Sequence, residues 1–173
     1  MIATKILARK LFTGTLLMAA AATGASSQED SLTSSPRQTV LKPQAVEYLY
    51  PEQVTVPAGK PTPVSLHFRI RENLHINSHT PRAEYLIPTV FSLPESSGVK
   101  LANATYPTGT DFTLPADPDQ KLSVYTGDFA IQAKLVSTAG NHLVEAKLRY
   151  QACDQTQCLP PKTITVPIDV IGK

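Results

Sequence analysis

Val144-Glu145-Ala146-Lys147-Leu148-Arg149-Tyr150-Gln151-Ala152-Cys153-Asp154-Gln155-Thr156-Gln157-Cys158-Leu159-Pro160-Pro161 holds both cysteines of the chain, with four residues between them. Ahead of the pair, Val144, Ala146, Leu148 and Tyr150 alternate with Glu145, Lys147, Arg149 and Gln151. Behind it, Ile164, Val166, Ile168 and Val170 alternate with Thr163, Thr165, Pro167 and Asp169. Successive side chains of a strand point to opposite faces, so this period-two alternation predicts two half-buried strands. The polar stretch between them is then a loop joining antiparallel neighbours, with a CxxxxC pair at its base.

The same reading extends upstream. Val64, Leu66, Phe68 and Ile70 point one way while Ser65, His67 and Arg69 point the other, the clearest strand of all. Val46, Tyr48 and Tyr50 alternate, followed by Val54 and Val56; Pro57 to Pro61 is a turn. Leu86 to Leu93 carries a proline and is expected as an edge or bulged strand. Val99 to Tyr106 is a further strand, and Leu122 to Val136 another, with Phe129, Ile131, Ala133 and Leu135 facing inward. Pro107 to Gln120 has three prolines and three aspartates and is expected to be a long connection. Seven or eight short strands without any helical period predict an all-β fold, an antiparallel β-sandwich of immunoglobulin-like type. The inter-sheet disulfide of antibody domains does not fit, because those cysteines lie far apart in sequence and this chain has no tryptophan.

Lys5, Arg9 and Lys10 precede the apolar run Leu11 to Ala22, which ends in the small residues Thr23 to Ser27. Residues 1–27 therefore read as a cleaved secretory signal peptide, and the protein as exported and periplasmic. An uncleaved anchor fits less well, since a spanning helix needs roughly 20 apolar residues. Residues 28–44 are polar and rich in Ser and Thr, a flexible leader, and the domain proper is expected over residues 45–173. Three of the 16 basic residues and none of the 14 acidic ones fall in the signal, so the exported part is near neutral. Such a balance gives no support to a nucleic-acid partner.

An even pair of cysteines in an oxidising compartment predicts a disulfide. Two readings of it stand. As a structural staple it closes a loop of only about six residues, for which chain entropy gives about 2 kcal/mol. As a redox pair it must offer a sulfur that a partner thiolate can reach. A loop at one end of a sandwich meets that need. Tyr150 ends the incoming strand, Pro160 stiffens the return, and Asp154 sets a carboxylate beside Cys153 that disfavours its thiolate.

Tyr-Gln-Ala-Cys, a short polar spacer and Cys-Leu-Pro-Pro before Thr-Ile-Thr-Val-Pro resemble the N-terminal periplasmic domain of the DsbD thiol:disulfide interchange family. The likeness continues more weakly through His75-Ile76-Asn77-Ser78, Tyr85-Leu86-Ile87-Pro88-Thr89 and Tyr106-Pro107. It implies an immunoglobulin-like fold and a Cys153/Cys158 redox pair. The pair would take electrons from a thioredoxin-like redox protein or a membrane electron-channel protein and pass them to periplasmic disulfide-containing substrates, with no metal and no organic cofactor. It further implies that Cys158 forms the mixed disulfide and Cys153 resolves it. The family's aromatic-bearing cap loop would correspond to Pro107–Gln120, with Phe112 over the disulfide and Asp111 beside it. DsbD proteins continue into a membrane channel, whereas this sequence stops at Lys173; the resemblance then implies a donor on a separate chain.

Other constellations are weaker. His75 and His79 have helical metal-ligand spacing in a stretch that does not read as helix, so His75 is expected as a strand-end residue with a satisfied hydrogen bond. No Gly-x-Ser-x-Gly occurs. Tyr48, Tyr50, Tyr85 and Tyr106 are expected as partly buried core residues.

Overall fold

The computed structural model describes residues 44–49, 53–95 and 97–173. The signal peptide, nearly all of the leader, and Tyr50 lie outside them. The described elements are β1 (Val46–Leu49), β2 (Gln53–Val56), β3 (Thr62–Ile70), β4 (His75–Asn77), β5 (Val90–Ser92), β6 (Val99–Thr105), β7 (Thr110–Leu114), β8 (Asp117–Tyr125), β9 (Asp128–Ser137), β10 (Gly140–Tyr150), β11 (Ala152–Cys153) and β12 (Lys162–Gly172). Among the described residues there is no helix, and hence none long and apolar enough to cross a membrane.

The alternation that frames the cysteines becomes the longest ladder of the molecule. β10 and β12 run antiparallel in unbroken register from Gly140 opposite Gly172 to Tyr150 opposite Lys162. They are the centre of one sheet, ordered β2-β12-β10-β5, and face a second, ordered β1-β3-β9-β6. Their inward residues share one core: Leu66 and Phe68 from β3, Ile131 and Leu135 from β9, Leu148 from β10, Ile168 from β12. Each such side chain contributes about 1.5–3 kcal/mol by leaving water. Phe68 stacks on Phe129 at 5.2 Å between centroids, and Phe129 on Tyr125 at 5.1 Å. This is an immunoglobulin-like β-sandwich.

A third small sheet, β11-β4-β8-β7, closes one end, and it departs from the sequence reading. Pro107–Gln120 is not a long connection. From Thr110 onward it belongs to the hairpin of β7 and β8, paired from Thr110 opposite Val124 to Leu114 opposite Asp117. The register shifts between Thr113 and Leu114, so Pro118 falls in a bulge, where a strand tolerates a residue without an N–H. Leu122–Val136 is likewise two strands, β8 and β9, separated by Gly127 at φ 59°. A left-handed φ suits glycine, which has no Cβ to crowd its own backbone carbonyl.

Two smaller differences concern the sheet edges. Of Leu86–Leu93 only Val90–Ser92 forms a strand, at the edge beside β10 as its proline implied. β2 joins β12 in parallel, so that sheet is mixed rather than purely antiparallel. This pairing begins only at Asp169, which leaves the β2 side of β12 without a ladder at Pro167. Twelve described strands thus replace the expected seven or eight, the excess being short pieces of two to five residues.

Candidate functional site

After Tyr150 the chain leaves the β10–β12 ladder, and β11 crosses to pair with β4, placing Ala152 opposite Ile76 and Cys153 opposite His75. The next residues turn back on themselves. Leu159 N–H donates to Ala152 O at 2.8 Å, Asp154 N–H donates to Gln157 O at 2.9 Å, and Cys153 and Cys158 face each other as an antiparallel bridge. Their sulfurs are joined at 2.00 Å, with the Cα atoms 3.9 Å apart. The result is a narrow hairpin, strapped by the disulfide, at the end of the sandwich.

Asp154 organises the tip. Its Oδ1 accepts from Thr156 N–H at 2.7 Å, Thr156 Oγ1 at 2.8 Å and Gln157 N–H at 2.8 Å. An aspartate accepting from the backbone two residues on is a favoured turn former. The Thr156 N–H, the Thr156 hydroxyl and the Gln157 N–H, with the nearby His75, hold the carboxyl below its usual range. It therefore stays ionised at neutral pH, with its charge committed to the turn.

The two sulfurs sit in different surroundings. Cys153 is 2% exposed, whereas Cys158 lies in an exposed run from Gln155 to Thr163. Beneath the hairpin, His75 is 3% exposed and its Nε2 has no hydrogen-bond partner. The sequence predicts a hydrogen-bonded strand-end histidine; His75 does open β4, and its Nε2 is not hydrogen-bonded. Burial pushes the imidazole pKa down, with the Asp154 charge pulling the other way. The Phe112 ring packs on this imidazole at 4.2 Å between centroids. Thus Phe112, reached from the sequence as a cap residue, stands against His75, the residue in register with Cys153.

Polar ties fix the surrounding frame. Asn77 Nδ2 donates to Ile87 O at 3.1 Å and to Gln151 Oε1 at 3.3 Å, and Gln151 Nε2 donates to Leu159 O at 3.3 Å, joining β4 to both arms of the cysteine hairpin. Asp111 forms an exposed ion pair with Arg82, and Gln120 Nε2 donates to the Tyr85 hydroxyl at 2.7 Å, so the β7–β8 hairpin is tied to the segment before β5. Tyr85 is 68% exposed, not a core residue. Tyr150 is buried at the end of β10. Pro160 and the 40% exposed Leu159 border a groove of about 320 Å³ with Tyr150, Ala152 and Lys162. A second groove, of about 450 Å³, is lined by Leu74, His75, Phe112, Gly127 and Gln155. The cysteine hairpin contributes to both, through Ala152, Leu159 and Pro160 to the first and Gln155 to the second.

His75 and His79 do not converge: His79 stacks on Tyr106 at 3.7 Å, and its Nδ1 lies 2.9 Å from Thr89 O. No cluster of three or more metal-ligating side chains occurs among the described residues.

The family model for the N-terminal region of the thiol:disulfide interchange protein DsbD matches residues 45–169. The chain belongs to the DsbD N-terminal family. That membership and a bonded cysteine pair together fit thiol–disulfide exchange. Among solved structures, the chain is similar to the DsbD N-terminal domain of Neisseria meningitidis in the reduced form, at 17% identity over 66% of this chain and 82% of that one, with a TM-score of 0.45. A comparison with curated proteins finds no match. Within this DsbD N-terminal domain, His75 is the residue that sequence reasoning named but did not place beside the cysteine pair. Nothing local marks it, because its position depends on the pairing of β4 with β11, two short strands far apart in the chain.

Proposed function

We propose that this protein is a periplasmic thiol–disulfide exchange module, relaying electrons through Cys153 and Cys158 between a thioredoxin-like protein and exported substrate proteins. The observation that carries the reading is the asymmetry of the pair: one sulfur in the exposed return of the hairpin, the other 2% exposed beneath it. Exchange proceeds by in-line attack of a thiolate on one sulfur, and access decides which one. Cys158 forms the mixed disulfide and Cys153 resolves it. Thioredoxin-like donors and membrane electron channels are the partner classes this chemistry requires, and the signal sequence supports the periplasmic location.

The test is a trap. Cys153→Ser leaves Cys158 unable to close its own bond, so a mixed disulfide with a thioredoxin-like protein should accumulate and disappear on reduction. Cys158→Ser, whose remaining thiol is buried, should trap far less. Equal trapping by the two variants, or none by either, would remove the assignment and favour an inert staple on a binding module.

A further inference from the structure

We propose that His75 is the proton acceptor for Cys153 when Cys153 attacks the mixed disulfide on Cys158. This rests on the redox reading above and adds a participant to it.

Three observations on different parts of the chain converge. First, His75 and Cys153 are directly opposite across the β4–β11 ladder. Opposed residues of an antiparallel pair project to the same face, with Cβ atoms about 4.5–5.5 Å apart. Second, Nε2 is buried with no hydrogen-bond partner in the oxidised protein. A buried polar atom left this way costs about 1–3 kcal/mol, which a structural histidine ordinarily avoids. In the Nδ1–H tautomer that nitrogen is a lone-pair acceptor, and a Cys153 thiol, present only when the pair is reduced, would supply the missing donor. Third, the other nearby base, Asp154, is anchored in the turn by three hydrogen bonds to Oδ1, which also hold its carboxyl below its usual range and make it the weaker proton acceptor.

The environment suits a group that takes a proton briefly. Burial keeps the resting imidazole neutral, so it is free to accept, and Asp154 supplies the negative charge that steadies the imidazolium once formed. Arg71 and Glu72 line the lip of the adjoining groove, while Phe112 from β7 and Thr126 and Gly127 from the β8–β9 turn bring no charge.

In the resolving step the Cys153 Sγ–Cys158 Sγ bond forms and the bond from Cys158 Sγ to the partner sulfur breaks. The partner leaves as a thiolate with the bonding pair, and the Cys153 proton passes to His75 Nε2. Two electrons have then moved from the cysteine pair to the partner. Run in reverse, the imidazolium returns the proton to Cys153 as its sulfur departs.

Reduced protein treated with dithionitrobenzoate releases thionitrobenzoate in two steps, first as Cys158 is captured and then as Cys153 resolves the adduct. His75→Gln should slow the second release about 100-fold, the lower end of general acid–base effects, and abolish the part of its pH profile that follows the imidazole. A second release with wild-type rate and pH profile would overturn the proposal. A measurement on the wild type guards against a misfolded variant: the His75 ring nitrogens, followed by NMR, should show Nε2 accepting a hydrogen bond in the reduced form only. Identical signals in the two forms would also overturn it. Because the reagent is a small molecule, these results are independent of whether a thioredoxin-like protein reacts, which is the test of the underlying reading.

Discussion

The ring of Phe112 lies 4.2 Å from the imidazole of His75 between centroids, tilted by 36°, and so joins the β7–β8 hairpin to β4, the strand on which the cysteine hairpin is paired. Aromatic pairs of this kind contribute about 0.5–1.5 kcal/mol beyond their buried area. Phe112→Ala should therefore loosen the cover over the site and speed reduction of the disulfide by a small thiol by roughly 2- to 10-fold, since 1.4 kcal/mol is a factor of ten. Stopped-flow reduction by dithiothreitol checks this; an unchanged rate would mean that the ring does not guard the bond.

The Arg82–Asp111 pair is exposed on both sides, with 47% and 54% of the side chains accessible. Exposed ion pairs contribute about 0–1 kcal/mol. Arg82→Ala should leave the urea midpoint nearly unchanged while amide exchange in Thr110–Leu114 accelerates, an effect that added salt should mimic in the wild type.

Gly109 precedes β7 where a Cβ would collide with Ser123 Oγ and with Ser78 Cβ, whose own hydroxyl is hydrogen-bonded to Ser123 at 2.8 Å. Gly109→Ala should destabilise the fold by about 1–3 kcal/mol, the usual cost of overpacking. Ser123→Gly in the same chain should recover part of that loss in a denaturant titration.

Two groups erode stability in acid in separate pH windows, and one variant set separates them. The folded pKa of His75 is lowered by burial. As pH falls below about 6.5, the unfolded chain takes up a proton that the folded one refuses, so stability drops from there toward the lowered folded value. His75→Gln should flatten that part of the curve. Asp154 is lowered by its hydrogen bonds to Thr156 and Gln157. Its contribution is full above the ordinary carboxylate value, about 3.9, and is lost as pH falls through the folded one. Asp154→Asn should lower the urea midpoint throughout the range above that window and abolish the fall within it, and, with the Asp154 charge gone, should shift the His75 window to lower pH.

How much was legible follows from how local each signal is. The alternation of Val144–Tyr150 and Ile164–Val170 is written residue by residue, and it specified both strands, their antiparallel pairing and the position of the cysteine loop. β7 and β8 were hidden because Pro115, Pro118 and the aspartates read as a connection. Only the bulge opposite Thr113 and Leu114 lets such residues sit in a hairpin, and no single-strand pattern reports a bulge. His75 was seen but misjudged: its sequence neighbours reveal a strand end, whereas its partners, Cys153 and Phe112, arrive from 78 and 37 residues away.

The exchange reading stands or falls most directly on the reduction potential of the Cys153–Cys158 bond, titrated to equilibrium against a glutathione buffer. A working relay must be reducible by thioredoxin-like proteins, so the account predicts a potential well above the roughly −300 mV that bounds structural bridges. A value at or below that limit would contradict it and leave the disulfide as a staple for the hairpin.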